Sequence, residues 1–584
     1  MAERGGLVAA PIRIANCSGF LGDRHTAAYE MVSGGPIDVL TGDYLAELTL
    51  AILARQRIKD PQRGYARQFL DHMDGVLELC LDRGTKVVVN AGGLNPGGLA
   101  RAVEGMAQEL GRPATVAAVS GDDLMPRMSE LAGRLHHTAT GKTFAEMGEP
   151  LTANAYLGGW GIAAALDRGA DIVVTGRVSD ASLVVGPAAW HHGWKPTDFD
   201  QVAGAVAAGH VIECGAQATG GNYSFLAEVQ GVPGFPIAEV AEDGTSVITK
   251  HPGTGGLVSV GTVTAQLLYE IGAPAYPNPD VVARLDTVAL TQDGEDRVRI
   301  SGTQGFAPPV TTKVAATTHG GYRNSMTMIV AGMDIEAKAE MALEGLWTGL
   351  GGADQFASVD VQLLRTEHED PPSHEAAFAY LKVTVVDPDA DKVGRRFSNA
   401  VVELILASYP GFTLTSPPGP AGPVLEYWPS LVEHPPALVR IGDEEFSVDP
   451  APGSNEAIIY SEPVVVEAED QGPMIAVPIG RVIGARSGDK GGDANLGVWA
   501  RTDEVYHWLA NFLTTERLRS LLPETASLQV DRYLLPNLRA VNFVLVGYLG
   551  AGVSSSNRLD PQAKALSEYF RAKVVDIPEK LLVV

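Results

Sequence analysis

The stretch Lys86-Val-Val-Val-Asn-Ala-Gly-Gly-Leu-Asn-Pro96 sets the reading of the N-terminal part of this chain. A β-branched run stops at a polar, glycine-containing turn, and Gly98 to Leu110 continues with helical spacing. The same unit recurs three times. Ile12-Arg-Ile-Ala runs into Asn16-Cys-Ser-Gly-Phe-Leu-Gly-Asp-Arg24, with a helix expected from about Thr26. Thr115-Val-Ala-Ala-Val runs into Ser120-Gly-Asp-Asp-Leu124, with a helix expected over Met125 to Leu135. Asp171-Ile-Val-Val runs into Thr175-Gly-Arg-Val-Ser-Asp180, with a helix expected over Ala181 to His191. Short β-branched runs alternating with amphipathic helices imply an α/β fold with a mostly parallel sheet covered on both faces. Ligands of such sheets bind outside the carboxyl ends of the strands, so the four loops are expected to line one rim. The competing reading is four ordinary turns.

After about residue 230 turn signals multiply, and strands and helices mix without the repeat. The organisation read from this is an α/β domain over 12–230, an α+β region over 231–455, a linker over 456–474 and a small α/β plait over 475–584. In the last of these, Ile475–Ala485 and Leu496–Arg501 read as strands joined by a loop, Arg486-Ser-Gly-Asp-Lys-Gly-Gly-Asp-Ala-Asn495. A single helix is expected over Glu504–Leu521, strands over Leu528–Leu535 and Val541–Tyr548, and a helix over Pro561–Lys573.

The 584 residues are 45% hydrophobic and 20% charged, as in an ordinary globular protein. A net charge of −26 argues against nucleic-acid binding and against adsorption to an anionic membrane. No targeting signal and no uncharged run of about 20 apolar residues is present, so a cytoplasmic, non-membrane protein is expected. Only Cys17, Cys80 and Cys214 occur, which excludes a cysteine-ligated cluster after residue 214. A homo-oligomer is expected from size alone.

The Arg486–Asn495 decade concentrates both charge signs between apolar runs. Arg486, Ser487, Asp489, Lys490, Asp493 and Asn495 are candidate ligand contacts, and the alternative is a solvated hairpin loop. It is not a phosphate loop, because Lys490 is followed by Gly491-Gly492-Asp493 rather than by a hydroxyl opening a helix. Asp23 and Arg24 open a helix and suit an anion, or form a capping pair. Asn90 and Asn95 stand in the second rim loop. Arg177 suits a carboxylate through its planar fork, with Asp180 beside it. Glu213 is a candidate acid/base, and Cys214 a candidate nucleophile or a small buried residue. Thr219 and Asn222 bracket donors for an oxyanion. Asp122 and Asp123 are further candidate proton carriers. No metal-binding motif and no redox-cofactor fingerprint is present. No cofactor is implied, apart from a coenzyme A thioester as a substrate moiety.

The segments N-C-S-G-F-L-G-D-R, V-V-N-A-G-G-L-N-P, V-S-G-D-D-L, T-G-R-V-S-D-A-S and E-C-G-A-Q-A-T-G-G-N occur in this order, followed by R-S-G-D-K-G-G-D-A-N. Together they resemble the acyclic terpene utilisation protein AtuA family over about residues 12 to 580. The resemblance implies an AtuA-type N-terminal region and a C-terminal ferredoxin-fold domain without an iron–sulfur cluster. It also implies a place in the catabolism of citronellol- and geraniol-type acids. The expectation is an enzyme acting on a branched carboxylic acid or its acyl-CoA thioester by lyase, hydratase or acyl-transfer chemistry. Two alternatives remain: a non-catalytic scaffold of a catabolic pathway, and a metal-dependent hydrolase using Asp122, Asp123 and Asp180.

Overall fold

The computed structural model describes residues 10–465 and 472–582. Part of the expected linker, residues 466–471, and the N-terminal nine residues lie outside the described residues. The mixed α/β architecture read from the sequence is present. At its centre five parallel strands are hydrogen-bonded in the order β1 (Ile12–Asn16), β2 (Val39–Gly42), β3 (Lys86–Val89), β5 (Ile172–Thr175) and β4 (Val116–Ser120).

Most positions in these runs are apolar because both faces are covered. Ile14, Val39, Val88, Ala117 and Val173 enter one core, packed by the helices Ser182–His192 and Phe199–Ile212. Their neighbours Ala15, Leu40, Val87, Ala118 and Val174 enter the other, packed by Ala27–Ser33, Leu77–Arg83 and Pro96–Glu109. The β2 strand was not among the four read from the sequence. It is only four residues long and follows Gly34-Gly35-Pro36, which reads as loop.

The change of pattern at residue 230 marks a change of pairing within one sheet. Pro236–Val240 runs antiparallel to β1, and Ser246–Lys250, Val298–Ser301 and Ala289–Gln292 extend that edge. Ala437–Ile441 and Glu444–Val448 extend the opposite edge from β4. Only Thr318–Glu426, with Ser554–Leu559, forms a second compact unit. There, Phe378–Asp387 and Ser358–Leu364 form a sheet under the helices Ile335–Leu350 and Phe397–Glu403, around Met328, Leu381, Val383 and Phe397.

The C-terminal plait belongs to the first unit. Its antiparallel sheet has the order Ile483–Lys490, Asp493–Ala500, Ala540–Leu545, Val530–Leu535. The expected loop over Arg486–Asn495 is instead the paired end of a hairpin, with Lys490 opposite Asp493 and only Gly491-Gly492 in the turn. The expected helix over 504–521 is two, Asp503–Phe512 and Thr515–Leu521, because Thr514 turns its hydroxyl to cap the second through Arg517 N. Leu566–Arg571 completes the helical layer. One sheet face packs on these helices through Leu496, Val498 and Phe543. The other face carries Gly488 and Gly497, where a Cβ would stand 2.5 Å from the Tyr269 ring and 2.6 Å from Leu268 Cβ. Those glycines let the sheet lie directly on residues 268–272. Among the described residues no helix is long and apolar enough to cross a membrane.

Candidate functional site

The carboxyl ends of the five parallel strands carry Asn16, Asp43, Asn90, Asp122 and Arg177, all buried. Four of them are tied in two pairs by the strand-end turns. Asn90 receives the Tyr44 N–H at 2.7 Å and donates to Asp43 Oδ1 at 2.5 Å. Asp122 receives Arg177 N and Asn154 Nδ2, each at 2.8 Å. A side chain at Gly176 would collide with Asp122 Oδ1 at 2.3 Å, so the Thr175–Arg177 turn can close over the carboxylate only as glycine. The turn aims the Arg177 guanidinium at Asp180 Oδ1, 2.5 Å away, and lays it 4.1 Å from the centre of the Tyr156 ring.

Against this rim lies the last turn of the Phe199–Ile212 helix. His210 Nδ1 stands 3.2 Å from Glu213 Oε1, and Glu213 Oε2 accepts no hydrogen bond from a described residue. Burial raises the Glu213 pKa well above the usual carboxyl range, reinforced by Asp180 and opposed by Arg177 and Lys490. Asp43 is raised in the same way, by burial and then Asp180. Burial pushes His210 down to about 4. Burial therefore favours the uncharged forms of Glu213, Asp43 and His210 beside the Arg177–Asp180 pair. Tyr276 covers the cluster, with its ring 5.1 Å from that of His210.

The third wall comes from residues 269–270 and the C-terminal plait. Arg486 stacks 4.1 Å from the centre of the Tyr269 ring and donates to Gln217 Oε1 at 2.5 Å. Lys490 Nζ donates to the Glu270 carbonyl at 3.0 Å. Lys564 Nζ lies 2.8 Å from Glu270 Oε1 and 3.4 Å from Asp489 Oδ1, and it contacts the Tyr269 hydroxyl. Burial lowers its pKa to about 8. Cys214 directly follows Glu213, and Lys490 Nζ, 5.8 Å from the centre of the Tyr276 ring, joins this wall to the His210 side. Solvent reaches the cluster: the Asp180, Glu270 and Lys564 side chains each keep 33% of their surface exposed, against 4% for Arg177.

Two hollows lie elsewhere, one of about 20 Å³ beside Trp160 and His434 and one of about 290 Å³ beside Asp200 and Asp243. The first barely exceeds a water molecule, and Asp200 and Asp243 already receive Gly305 N and Thr245 N. In the first, Asp280 receives Gly159 N and the Ser182 hydroxyl and His434 bonds to the Pro309 carbonyl, so the strand-end cluster, which gathers acids, an imidazole and cations, is the candidate site.

Residues 12–439 match the family described as acyclic terpene utilisation family protein AtuA, and residues 477–576 match the AtuA ferredoxin-like domain. The chain belongs to the AtuA family. Membership carries a role in acyclic terpene utilisation. No curated protein matches the chain.

The AtuA-type segments named from the sequence end in different places. Asn90, Arg177, Asp180, Glu213, Cys214, Arg486, Asp489 and Lys490 come together. Asp23 instead closes its own turn on Gly19 N and Arg24 N, and Arg24 pairs with Glu30 and with the Pro233 carbonyl. Asn95 caps the Pro96–Glu109 helix. Asp123 receives Met125 N and lies 3.6 Å from Arg57. Thr219 spends its hydroxyl on the Ala216 and Gly234 carbonyls, and Asn222 is exposed. Ser487 and Asp493 bond to the plait's own backbone, and Asn495 bonds to Leu268 O and Glu270 N. Burial, then Glu213 and Glu270, raise the Cys214 thiol, so the site holds no thiolate nucleophile at neutral pH. The sequence reading missed Asp43, Tyr269, Glu270, Tyr276 and Lys564. Only Asp43 left a signal there: Val39-Leu-Thr-Gly-Asp43 repeats the run-then-Gly-Asp ending of Val119-Ser-Gly-Asp122.

Proposed function

We propose that the chain is an enzyme of branched-acid catabolism. It acts on a terpenoid-like carboxylic acid or its acyl-CoA thioester by acid–base chemistry at the carbon next to the carbonyl. The reaction class is hydration/dehydration or a related lyase step. The observation that carries this reading is the Glu213 carboxyl. It is buried, has one oxygen without a donor among the described residues, and stands beside a carboxylate–guanidinium pair in a cluster that solvent reaches. A carboxyl whose uncharged form is favoured by burial, next to one paired with a guanidinium, is an arrangement by which one site supplies both an acid and a base.

In the dehydration direction the Glu213 proton goes to the departing hydroxyl, which leaves as water. The C–H proton on the adjacent carbon passes to Asp180, and the electron pair of that C–H bond becomes the new double bond. Arg177 and Lys490 supply the positive charge that holds the substrate carboxylate or polarises its carbonyl. His210, buried with Nδ1 3.2 Å from Glu213 Oε1, is assigned as a positioning residue. A metal-dependent hydrolase built on Asp122, Asp123 and Asp180 finds less support, because Asp122 and Asp123 already accept hydrogen bonds from protein donors.

The test incubates the purified protein in D₂O with geranyl-CoA, citronellyl-CoA and the two free acids, and follows the products by mass spectrometry. Deuterium uptake or a change of 18 mass units is expected with the wild type. Glu213→Gln is expected to lose this activity by about 10²-fold or more while still binding the ligand. Unchanged turnover in Glu213→Gln would remove Glu213 from the mechanism, and a wild type inert to all four compounds would sink the reading. Because Glu213 acts as an acid, activity should fall as pH rises through its raised pKa, giving an alkaline limb.

A further inference from the structure

Beside the acid, the base and the positive charges of Arg177 and Lys490, chemistry of this class calls for hydrogen-bond donors preset at the oxygen on which charge develops. Thr219 and Asn222, the sequence's candidates, do not supply them. The opposite wall does hold a donor pair, and the backbone around it is distorted in two places. Glu270 and Ala563 both adopt left-handed φ, 55° and 53°, a region that non-glycine residues enter at a cost of about 1 kcal/mol or more. Ala563 immediately precedes Lys564, and Glu270 immediately follows Tyr269.

Each distortion is locked by a buried residue of the Arg486–Asn495 hairpin. Ser487 Oγ donates to the Ala563 carbonyl at 2.6 Å and receives Ser567 N at 2.8 Å. Asn495 Oδ1 receives Glu270 N at 2.8 Å, and Lys490 Nζ holds the Glu270 carbonyl. The outcome of all four contacts is one placement. The Lys564 ammonium meets the Tyr269 hydroxyl, and Lys490, which holds Glu270, lies 5.8 Å from the centre of the Tyr276 ring that covers His210 and Glu213. Asp489 and Glu270 flank the Lys564 ammonium, and a third of its side chain stays open to solvent. Strain of this kind persists only where surrounding contacts over-determine it, and it gathers at functional sites.

We propose that Lys564 and Tyr269 form the oxyanion-stabilising pair of this site, donating hydrogen bonds to the substrate's carbonyl or carboxylate oxygen while Glu213 handles the proton. This rests on the reaction class proposed above for the chemistry, but its ligand-binding part stands independently. The R-S-G-D-K-G-G-D-A-N hairpin then acts as a clamp that positions a lysine from another part of the plait. The donors are preorganised before substrate arrives, which is where such groups gain their effect.

The experiment has a binding arm and a turnover arm, on the full chain. Geranate is the binding probe, measured by calorimetry at pH 7 against wild type, Lys564→Met, Lys564→Arg and Tyr269→Phe. Tyr269→Phe keeps the ring that Arg486 and Lys564 lie over, so it perturbs the fold less than Lys564→Met, which takes a cation from beside Glu270 and Asp489. Geranate binding is expected to weaken at least about 10-fold in Lys564→Met and measurably in Tyr269→Phe, with partial rescue in Lys564→Arg. In the turnover arm, kcat is expected to fall about 10²–10³-fold in Lys564→Met. Binding and turnover unchanged in both Tyr269→Phe and Lys564→Met would overturn the proposal while leaving the acid–base reading intact. Lys564-dependent geranate binding without any turnover would support this pair and remove the reaction class instead. No geranate binding by wild type, with no turnover, would overturn both.

Discussion

Asp280 offers a quantitative test of how the site is held. It is buried, and its carboxylate receives the Gly159 N–H at 2.9 and 3.0 Å and the Ser182 hydroxyl at 2.8 Å. Asn278, two residues earlier, receives the Ser179 hydroxyl at 2.8 Å. These bonds pin the segment carrying Tyr276 to the turn carrying Arg177 and Asp180. Burial raises the Asp280 pKa from 3.8 to about 6, outweighing those hydrogen bonds. Sign follows from linkage. A carboxyl whose folded pKa is raised costs nothing below its unfolded pKa, and the cost grows with pH until the folded pKa is passed. With 3.8 and about 6 as the two values, the cost is about 1.6 kcal/mol at pH 5 and about 3 kcal/mol at pH 7.5.

Asp280→Asn removes that titration. The amide oxygen keeps one Gly159 bond and the amide nitrogen can donate to Ser182, so the substitution forfeits about 1 kcal/mol of hydrogen bonding. The variant should therefore be more stable than wild type by about 2 kcal/mol at pH 7.5 and by about 0.5 kcal/mol at pH 5. The change of about 1.4 kcal/mol between the two pH values is independent of the hydrogen-bond term. Urea unfolding at both pH values measures it, with a separate transition fitted for each compact unit. An equal stability difference at pH 5 and pH 7.5 would refute a buried, destabilising carboxylate at this position.

Two further substitutions probe how the plait meets the first sheet. Asn495→Ala removes the partners of Glu270 N, Leu268 O and Asn542 Oδ1 in a fully buried place, so the unfolding free energy should drop by about 2–4 kcal/mol; an unchanged urea midpoint would contradict the contact. Gly488→Ala pushes a methyl group to 2.5 Å from the Tyr269 ring, and should cost about 1–3 kcal/mol and weaken geranate binding together. A loss of stability with binding fully retained would show that Tyr269 does not form the wall.

What was legible in the sequence follows from where the physics is local. The four parallel strands announce themselves because a strand buried on both faces must be apolar along most of its length, as at Val87, Val88 and Val89. The Arg177–Asp180 and Glu213 positions follow from strand ends and a helix end, again local features. Val39–Gly42 escaped because four residues behind a Gly-Gly-Pro turn carry too little pattern. Lys564 escaped for a different reason. Its partners Glu270 and Tyr269 are 294 and 295 residues away, and nothing in Gln562-Ala-Lys-Ala-Leu distinguishes it from a solvated surface lysine.

The Arg486–Asn495 hairpin shows how a polar run can be misread. Polarity and glycine content there suggest a loop meeting water, yet the alternation of a strand explains every residue. Arg486, Gly488 and Lys490 face Tyr269 and Glu270, while Ser487 and Asp489 face the Ala563–Lys564 turn. One face meets the Tyr269 ring and the Glu270 backbone and the other the Ala563–Lys564 turn, so side chains that can stack or hydrogen-bond are the ones that fit. Glycine is required where backbones approach, and Arg486, stacked on a ring, is as buried as a core residue. A period of two is present in this segment, but it is written in hydrogen-bonding groups instead of in apolar ones. A hydropathy reading cannot register it. The test for such a segment is whether its odd and even residues each find a common partner, which here they do: Tyr269 and Glu270 on one side, Lys564 and its turn on the other.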